Sequence, residues 1–179
     1  MRIISGKNKG RKITAPGNLP VRPTADMAKE SLFNILNNHV NYEDLNVLDL
    51  FAGTGNISYE FVSRGSKSVT AVDNNPKCTG FINQTAKKLN YDNLYVISLD
   101  YRVFLKHTPN KWDLVFADPP YNMEGIEEIP FLVFEKDILN KNGWLIIEHS
   151  KNIDFSDYSG YFDHRVYGRV TFSFFRQNL

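Results

Sequence analysis

The chain has 179 residues, 42% apolar and 23% charged, with a formal net charge of +1; this fits one domain with a sizeable core and excludes a disordered protein. No apolar run nears the roughly 18 residues needed to cross a bilayer, and MRIISGKNKGRK lacks the apolar core of a signal peptide, so the cytoplasm is the expected compartment. Cys78 is the single cysteine, and His39, His107, His149 and His164 are scattered, so neither a disulfide nor a metal site is expected.

The net charge hides an asymmetry. Residues 1–24 carry Arg2, Lys7, Lys9, Arg11, Lys12 and Arg22 and no acid, which leaves 15 basic and 20 acidic residues in the remainder, a balance of −5. A basic segment on a mildly acidic body reads either as a polyanion-binding arm or as a solvated terminus. RIIS and RKIT around GKNKG predict a small β-hairpin. APGNLPVRP, with three prolines, is an extended connector. TADMAKESLFNILNN repeats apolar residues at helical spacing (Ala28, Leu32, Ile35, Leu36), with Thr24 as cap and Asp26 in the first turn.

From residue 46 the pattern alternates. NVLDLF is a strand, and NISYEFVSRG is a helix stopped by Gly65. SVTAVD is a second strand, followed by a helix capped by Asn75 with Pro76 at its first position. LYVIS is a third strand, YRVFLKH a short helix, and WDLVFAD a fourth strand. Residues 126–139 predict a helix, KNG a turn, and WLIIEHS a fifth strand. YFDHRVY and RVTFSFF around Gly168 predict an antiparallel hairpin at one edge. The first five strands are continuous apolar runs, as in a parallel sheet covered on both faces. The expectation is a doubly wound α/β sheet of seven strands, mostly parallel, in a single domain over residues 1–179. Within it, residues 1–22 form the basic hairpin and connector and residues 23–179 the core.

LDLFAGTGNIS places Asp49, Gly53 and Gly55 at the first strand-to-helix turn, where glycines let backbone approach a ligand. Asp73 ends the second strand, 18 residues after Gly55, a spacing suited to ribose hydroxyls. Asp100 and Tyr101 end the third strand and suit an adenine amino group and ring face. Ser58 stands where a dinucleotide loop wants Gly or Ala, and no lysine follows the glycines as in a P-loop. An adenosine ligand without pyrophosphate fits better, namely S-adenosylmethionine. Asp49 then meets the ligand's cationic end, directly or through water, or else caps the turn; both readings stand.

The fourth strand ends in DPPY. An exocyclic amine on a base is a poor nucleophile, because its lone pair is delocalised into the ring. Asp118 offers a carboxylate oxygen and Pro119 a carbonyl to hold the amine hydrogens and favour a pyramidal nitrogen. The prolines restrict the backbone and so fix these acceptors in advance. Pro120 brings no competing N–H, and Tyr121 offers a face for a base lifted from its stack. The plain alternative is a proline-rich turn that ends a strand.

RIISGKNKGRKI, RPTADMAKESLFNIL, VLDLFAGTGNISYE, FADPPY and YGRVTFSFF together resemble the RsmD family of bacterial 16S rRNA guanine-N2 methyltransferases, over nearly the whole chain. The resemblance implies a Rossmann-like class I methyltransferase with an N-terminal hairpin extension, S-adenosylmethionine as donor, and 16S rRNA or an assembling small subunit as partner of a monomer. It implies that Phe51, Gly53, Gly55, Asp73, Asn74, Asp100 and Tyr101 line the cofactor, with Thr24 nearby. It implies that Asp118, Pro119, Pro120 and Tyr121 hold the guanine. It also implies that Arg2, Lys7, Lys9, Arg11 and Arg22 grip RNA phosphates; Arg22 is equally placed to pair with the acidic DPPY region. The chain departs from the family pattern at ADMAKE, where an Arg-rich run is expected and Lys29 alone keeps a positive charge. KNIDFSDYSGY is short for a full helix before the last hairpin. DPPY also occurs in DNA adenine-N6 methyltransferases, which usually carry an added recognition region for which this chain has no spare length. A third reading is a non-catalytic RNA-binding assembly factor on the same scaffold.

Overall fold

The computed structural model describes residues 1–17 and 26–177. Thr24 and Arg22 lie outside the described residues. The elements run α1 (Asp26–Leu36), β1 (Asn46–Asp49), α2 (Asn56–Ser63), β2 (Ser68–Asp73), α3 (Pro76–Leu89), β3 (Leu94–Ser98), α4 (Tyr101–His107), β4 (Trp112–Ala117), α5 (Glu128–Glu135), β5 (Leu139–Ser150), β6 (Tyr161–Tyr167) and β7 (Val170–Arg176). The seven strands form one sheet in the order β3-β2-β1-β4-β5-β7-β6. The first five are parallel, and β7 and β6 add an antiparallel edge. Residues 151–160, between β5 and β6, form turns with no helix.

The continuous apolar runs are explained by burial on both faces. Val47, Leu114, Phe116 and Ile146 pack with α1, α2 and α3. Their neighbours Leu48, Val115, Leu145 and Ile147 pack with α4 and α5. α3 shows why its boundaries fall where they do. Asn75 Oδ1 accepts the Lys77 N–H at 2.9 Å and Pro76 opens the first turn. Asn90 closes it in the left-handed region at φ 53°, after Lys87 and Lys88 have placed cations beside the terminal carbonyls.

Three expectations need correction. The N-terminal hairpin forms, but as one antiparallel bridge between Arg2 and Lys12 rather than two strands. Ile3 and Ile13 go into the core, and the rest of the segment is held by α2 instead of by its own ladder. The Ile4 and Ser5 N–H groups donate to the Glu60 carboxylate at 2.8 and 3.0 Å, and Lys7 N–H to the Ser63 carbonyl at 2.7 Å. A Cβ on Gly6 would sit 1.7 Å from that carbonyl oxygen, so only glycine fits there.

The helix expected at 126–139 is shorter, Glu128–Glu135. Asp137 takes the left-handed conformation at φ 51°, and the N–H groups of Asp137 and Ile138 turn back to the carbonyls of Phe134 and Val133 at 3.1 Å each. This stop is usually made with glycine. The fifth strand begins at Leu139, before the expected KNG turn. Leu139 pairs with Trp112, and the ladder resumes at Leu114 with Trp144, so residues 140–143 bulge out of one strand. Among the described residues no helix is long and apolar enough to cross a membrane.

Candidate active site

The sheet reverses its winding between β1 and β4, the place where open α/β sheets bind ligands beyond the strand ends. β1 pairs with β4 up to Asp49 opposite Phe116, and Leu50 N–H donates to the Phe116 carbonyl at 2.9 Å. The glycine turn and DPPY therefore leave adjacent strands side by side.

On the β1–β3 side the turn is held by acids. Gly53 N–H donates to Asp73 Oδ2 and Asn75 N–H to Asp73 Oδ1, both at 2.8 Å. Each oxygen of this half-buried carboxylate keeps further acceptor capacity, as ribose hydroxyls require. Gly55 stands before α2 at φ 82°, and a Cβ there would come within 2.6 Å of the Tyr59 ring. Asp49 is 1% exposed and its Oδ2 accepts the Ser58 hydroxyl at 2.6 Å. Burial, with the nearby Asp73 charge adding to it, pushes the Asp49 carboxyl up to about 7. It thus lies beneath the turn and braces it.

Phe51, Asp73, Asn74, Asp100 and Tyr101 line one pocket with Leu50 and Leu99. The Phe51 and Tyr101 ring centroids are 4.8 Å apart. Asp100 Oδ1 caps α4 by accepting the Arg102 N–H at 2.9 Å. Leu99 escaped the sequence reading, because its exposure beside Asp100 shows only in the structure. A larger cleft of about 240 Å³ lies at the opposite ends of the strands, lined by His39, Asp44, Asp113 and Trp144 among others. Asp113 there is already taken by Asn46 and Asn140.

On the β4–β5 side Asp118 is half-buried, Pro119 buried and Pro120 exposed. The Pro120 carbonyl accepts Met123 N–H at 2.8 Å, which turns the chain back after the motif. Tyr121 is 45% exposed, and its hydroxyl donates to Glu148 Oε1 at 3.2 Å. Burial first, then the Glu148 and Asp118 charges, pushes the Tyr121 hydroxyl well above the usual phenol range. Glu148 is 3% exposed, and burial raises its carboxyl to about 7. The sequence reading missed it. The signal was present: acids stand at or just past the ends of β1 to β4, and Glu148 lies two residues before the end of β5.

The basic residues divide. Arg2, Lys7, Lys9 and Arg11 are exposed on the N-terminal segment. Its tip is pinned beside Ser63, at the end of α2 remote from Gly55. Lys7 Nζ lies 4.8 Å over the Tyr91 ring. Lys29, the one cation in ADMAKE, does not face outward. It is fully buried, donating to the Arg2 carbonyl at 2.7 Å and Asn56 Oδ1 at 2.8 Å, with Glu60 3.5 Å away. Its role is to tie α1 and α2 to the N-terminal segment.

A family model described as "Conserved hypothetical protein 95" matches residues 1–176. Ribosomal RNA small subunit methyltransferase D of Buchnera aphidicola (subspecies Acyrthosiphon pisum) is 33% identical over 150 residues, 83% of this chain and 78% of that protein. The protein of the same name from Escherichia coli K12 is 31% identical over 148 residues, 83% of this chain and 71% of that one. The solved structure of the putative methyltransferase yhhF from Escherichia coli superposes with a TM-score of 0.86 at 26% identity, covering 99% of this chain and 97% of that one. With a family model over nearly its whole length, and relatives named Ribosomal RNA small subunit methyltransferase D at 31–33% identity over 83% of the chain, the chain belongs to the RsmD family of methyltransferases.

Proposed function

We propose that the chain transfers a methyl group from S-adenosylmethionine to the exocyclic N2 amine of a guanine in small-subunit rRNA. Methyl transfer to rRNA from this donor is the activity of the family; the guanine N2 position is the finer reading. The observation that carries methylation of a planar amine is Asp118-Pro119-Pro120-Tyr121 beside the Gly53–Gly55 turn, on neighbouring strands; the choice of guanine N2 follows the family resemblance.

When bound, S-adenosylmethionine supplies an electrophilic methyl on a sulfonium. Asp73 is placed to hold the ribose hydroxyls, Phe51 and Tyr101 together to offer the adenine an aromatic wall on one side, and Asp100 to accept from its amino group. Asp49 puts a carboxylate behind the glycine turn, where it favours the donor's cationic end. Asp118 and the Pro119 carbonyl accept the two amine hydrogens, draw the nitrogen toward a pyramidal shape and aim its lone pair at the methyl. Two acceptors set before the substrate arrives do not reorganise during the reaction. Tyr121 supports the base ring. The methylated amine is cationic and acidic, so it sheds its proton without a strong base.

The test is direct. The purified chain is incubated with labelled donor and, separately, unmodified small-subunit rRNA, assembled small subunits and DNA, and the labelled base is mapped. Label on guanine N2 in rRNA or subunits is expected. Label on adenine N6, or on DNA in preference to RNA, overturns the reading.

A further inference from the structure

Glu148 is an expensive residue where it stands. Its strand neighbours are Ile147 and the buried His149, its cross-strand partner is Phe172, and it is 3% exposed. Its Oε1 accepts the Tyr121 hydroxyl at 3.2 Å. Among the described residues Oε2 has no hydrogen-bond partner at all. A buried carboxylate oxygen left in that condition costs about 1–3 kcal/mol, so an apolar side chain serves the fold better. The position makes sense if something outside the chain completes it.

The register says what that is. Ala117 pairs with Ile147 as the last rung between β4 and β5, so Asp118 and Glu148 follow on adjacent strands, roughly 4.8 Å apart across the sheet. Tyr121, the expected base platform, donates its hydroxyl to Glu148. Two carboxylates and a ring thus converge on the same spot. A guanine presents two adjacent donors on its Watson–Crick edge, the N2 amine and N1–H. An adenine presents its N6 amine beside a bare N1 acceptor, which a carboxylate repels.

We propose that Glu148 reads the target base, its Oε2 accepting the guanine N1–H while Asp118 and the Pro119 carbonyl hold the N2 amine. The inference rests on the guanine-N2 reading above and supplies what DPPY alone lacks, a reason to choose guanine over adenine. Tyr121 closes over Glu148 in the free protein. With Oε1 held by Tyr121, the base N1–H completes the carboxylate at Oε2 with a charge-assisted bond.

The probe is 2-aminopurine, which keeps the N2 amine but carries a bare N1 in place of N1–H. Small-subunit rRNA is prepared with the mapped target guanine either intact or replaced by 2-aminopurine. Sites built around a substrate N–H reject analogues lacking it strongly, so the wild type prefers guanine on the order of 100-fold in kcat/KM. Glu148→Gln slows guanine methylation at least about tenfold and collapses the preference to within a few-fold, because its amide can donate to the bare N1. Tyr121→Phe lowers the rate but keeps the preference. S-adenosylmethionine binding by calorimetry shows that each variant is folded. A Glu148→Gln preference equal to wild type, a wild type indifferent to the replacement, or a preference lost in Tyr121→Phe each overturns the proposal. Label mapped away from guanine N2 in the wild type overturns the underlying reading and this one with it, and is seen before any variant is made.

Discussion

The two halves of the site are built on opposite terms. Around β1, β2 and β3 every acid is already engaged: Asp49 by the Ser58 hydroxyl, Asp73 by two backbone N–H groups, Asp100 by the first turn of α4. Around β4 and β5, Glu148 keeps an oxygen with no partner among the described residues, and the aromatic ring beside it is 45% exposed. The acids of the donor half are therefore satisfied without their ligand, although the Tyr101 hydroxyl among them has no partner among the described residues, and the base half holds a buried carboxylate oxygen that a substrate donor can satisfy. This division teaches that the two ligands can be lost separately by mutation.

The largest separation is expected from Asp118→Ala. Removing an acceptor preset for the reacting amine lowers the rate on the order of 100-fold to 1,000-fold, while S-adenosylmethionine binding by calorimetry stays within a few-fold of wild type. Near-wild-type turnover sinks the assignment of Asp118. Gly55→Ala attacks the other half. It forces φ 82° on an alanine and drives a Cβ toward the fully buried Tyr59 ring. Stability falls by about 2–4 kcal/mol in denaturant melts, and donor affinity falls with it. Unchanged donor affinity in that variant means the turn does not shape the donor site.

Legibility in the sequence follows the same division. The donor half was readable because its chemistry sits in turn residues with fixed spacing, from Gly53 and Gly55 to Asp73. DPPY was readable because an acid, two prolines and an aromatic at the end of the fourth strand, after a glycine turn on the first, form a specific combination, whereas prolines at strand ends alone are common. Glu148 was not singled out, because it lies inside the apolar run WLIIEHS and its meaning depends on which strand lies beside β5. The order that puts β5 next to β4 is a property of the whole sheet. Lys29 misled for a related reason. Nothing local shows that Glu60, Asn56 and the Arg2 carbonyl close around it. The end of α5 misled because Asp137 holds the left-handed position that glycine usually announces.

The basic segment extends the comparison beyond the strand ends. Lys7, Lys9 and Arg11 sit at the remote end of α2, roughly 12 Å along the helix from Gly55 by its eight-residue rise, so an RNA contact made by them lies away from the reacting base. Replacing all three by glutamine weakens rRNA binding. It lowers the slope of log affinity against log salt by about 2–3, and leaves donor binding unchanged. An unaltered slope removes this segment from the RNA contact.

The smallest effect expected tests whether the brace under the donor turn also feels the donor. Asp49 is raised to about 7 by burial, so in the free protein it is largely protonated below neutrality. With respect to this group, stability is greatest at low pH and falls as pH rises toward that value, because the unfolded chain ionises more easily. A cationic ligand reverses the preference by favouring the ionised form. S-adenosylmethionine affinity therefore rises several-fold between about pH 5.5 and 7.5, with protons released on binding, and Asp49→Asn abolishes both. Calorimetry in two buffers of different ionisation enthalpy counts the protons. Glu148 titrates in the same range but faces Tyr121, so Glu148→Gln leaves the proton count alone. If instead Asp49→Asn binds the donor with the wild-type pH profile, Asp49 serves the turn only, and the donor's positive end is held by other groups.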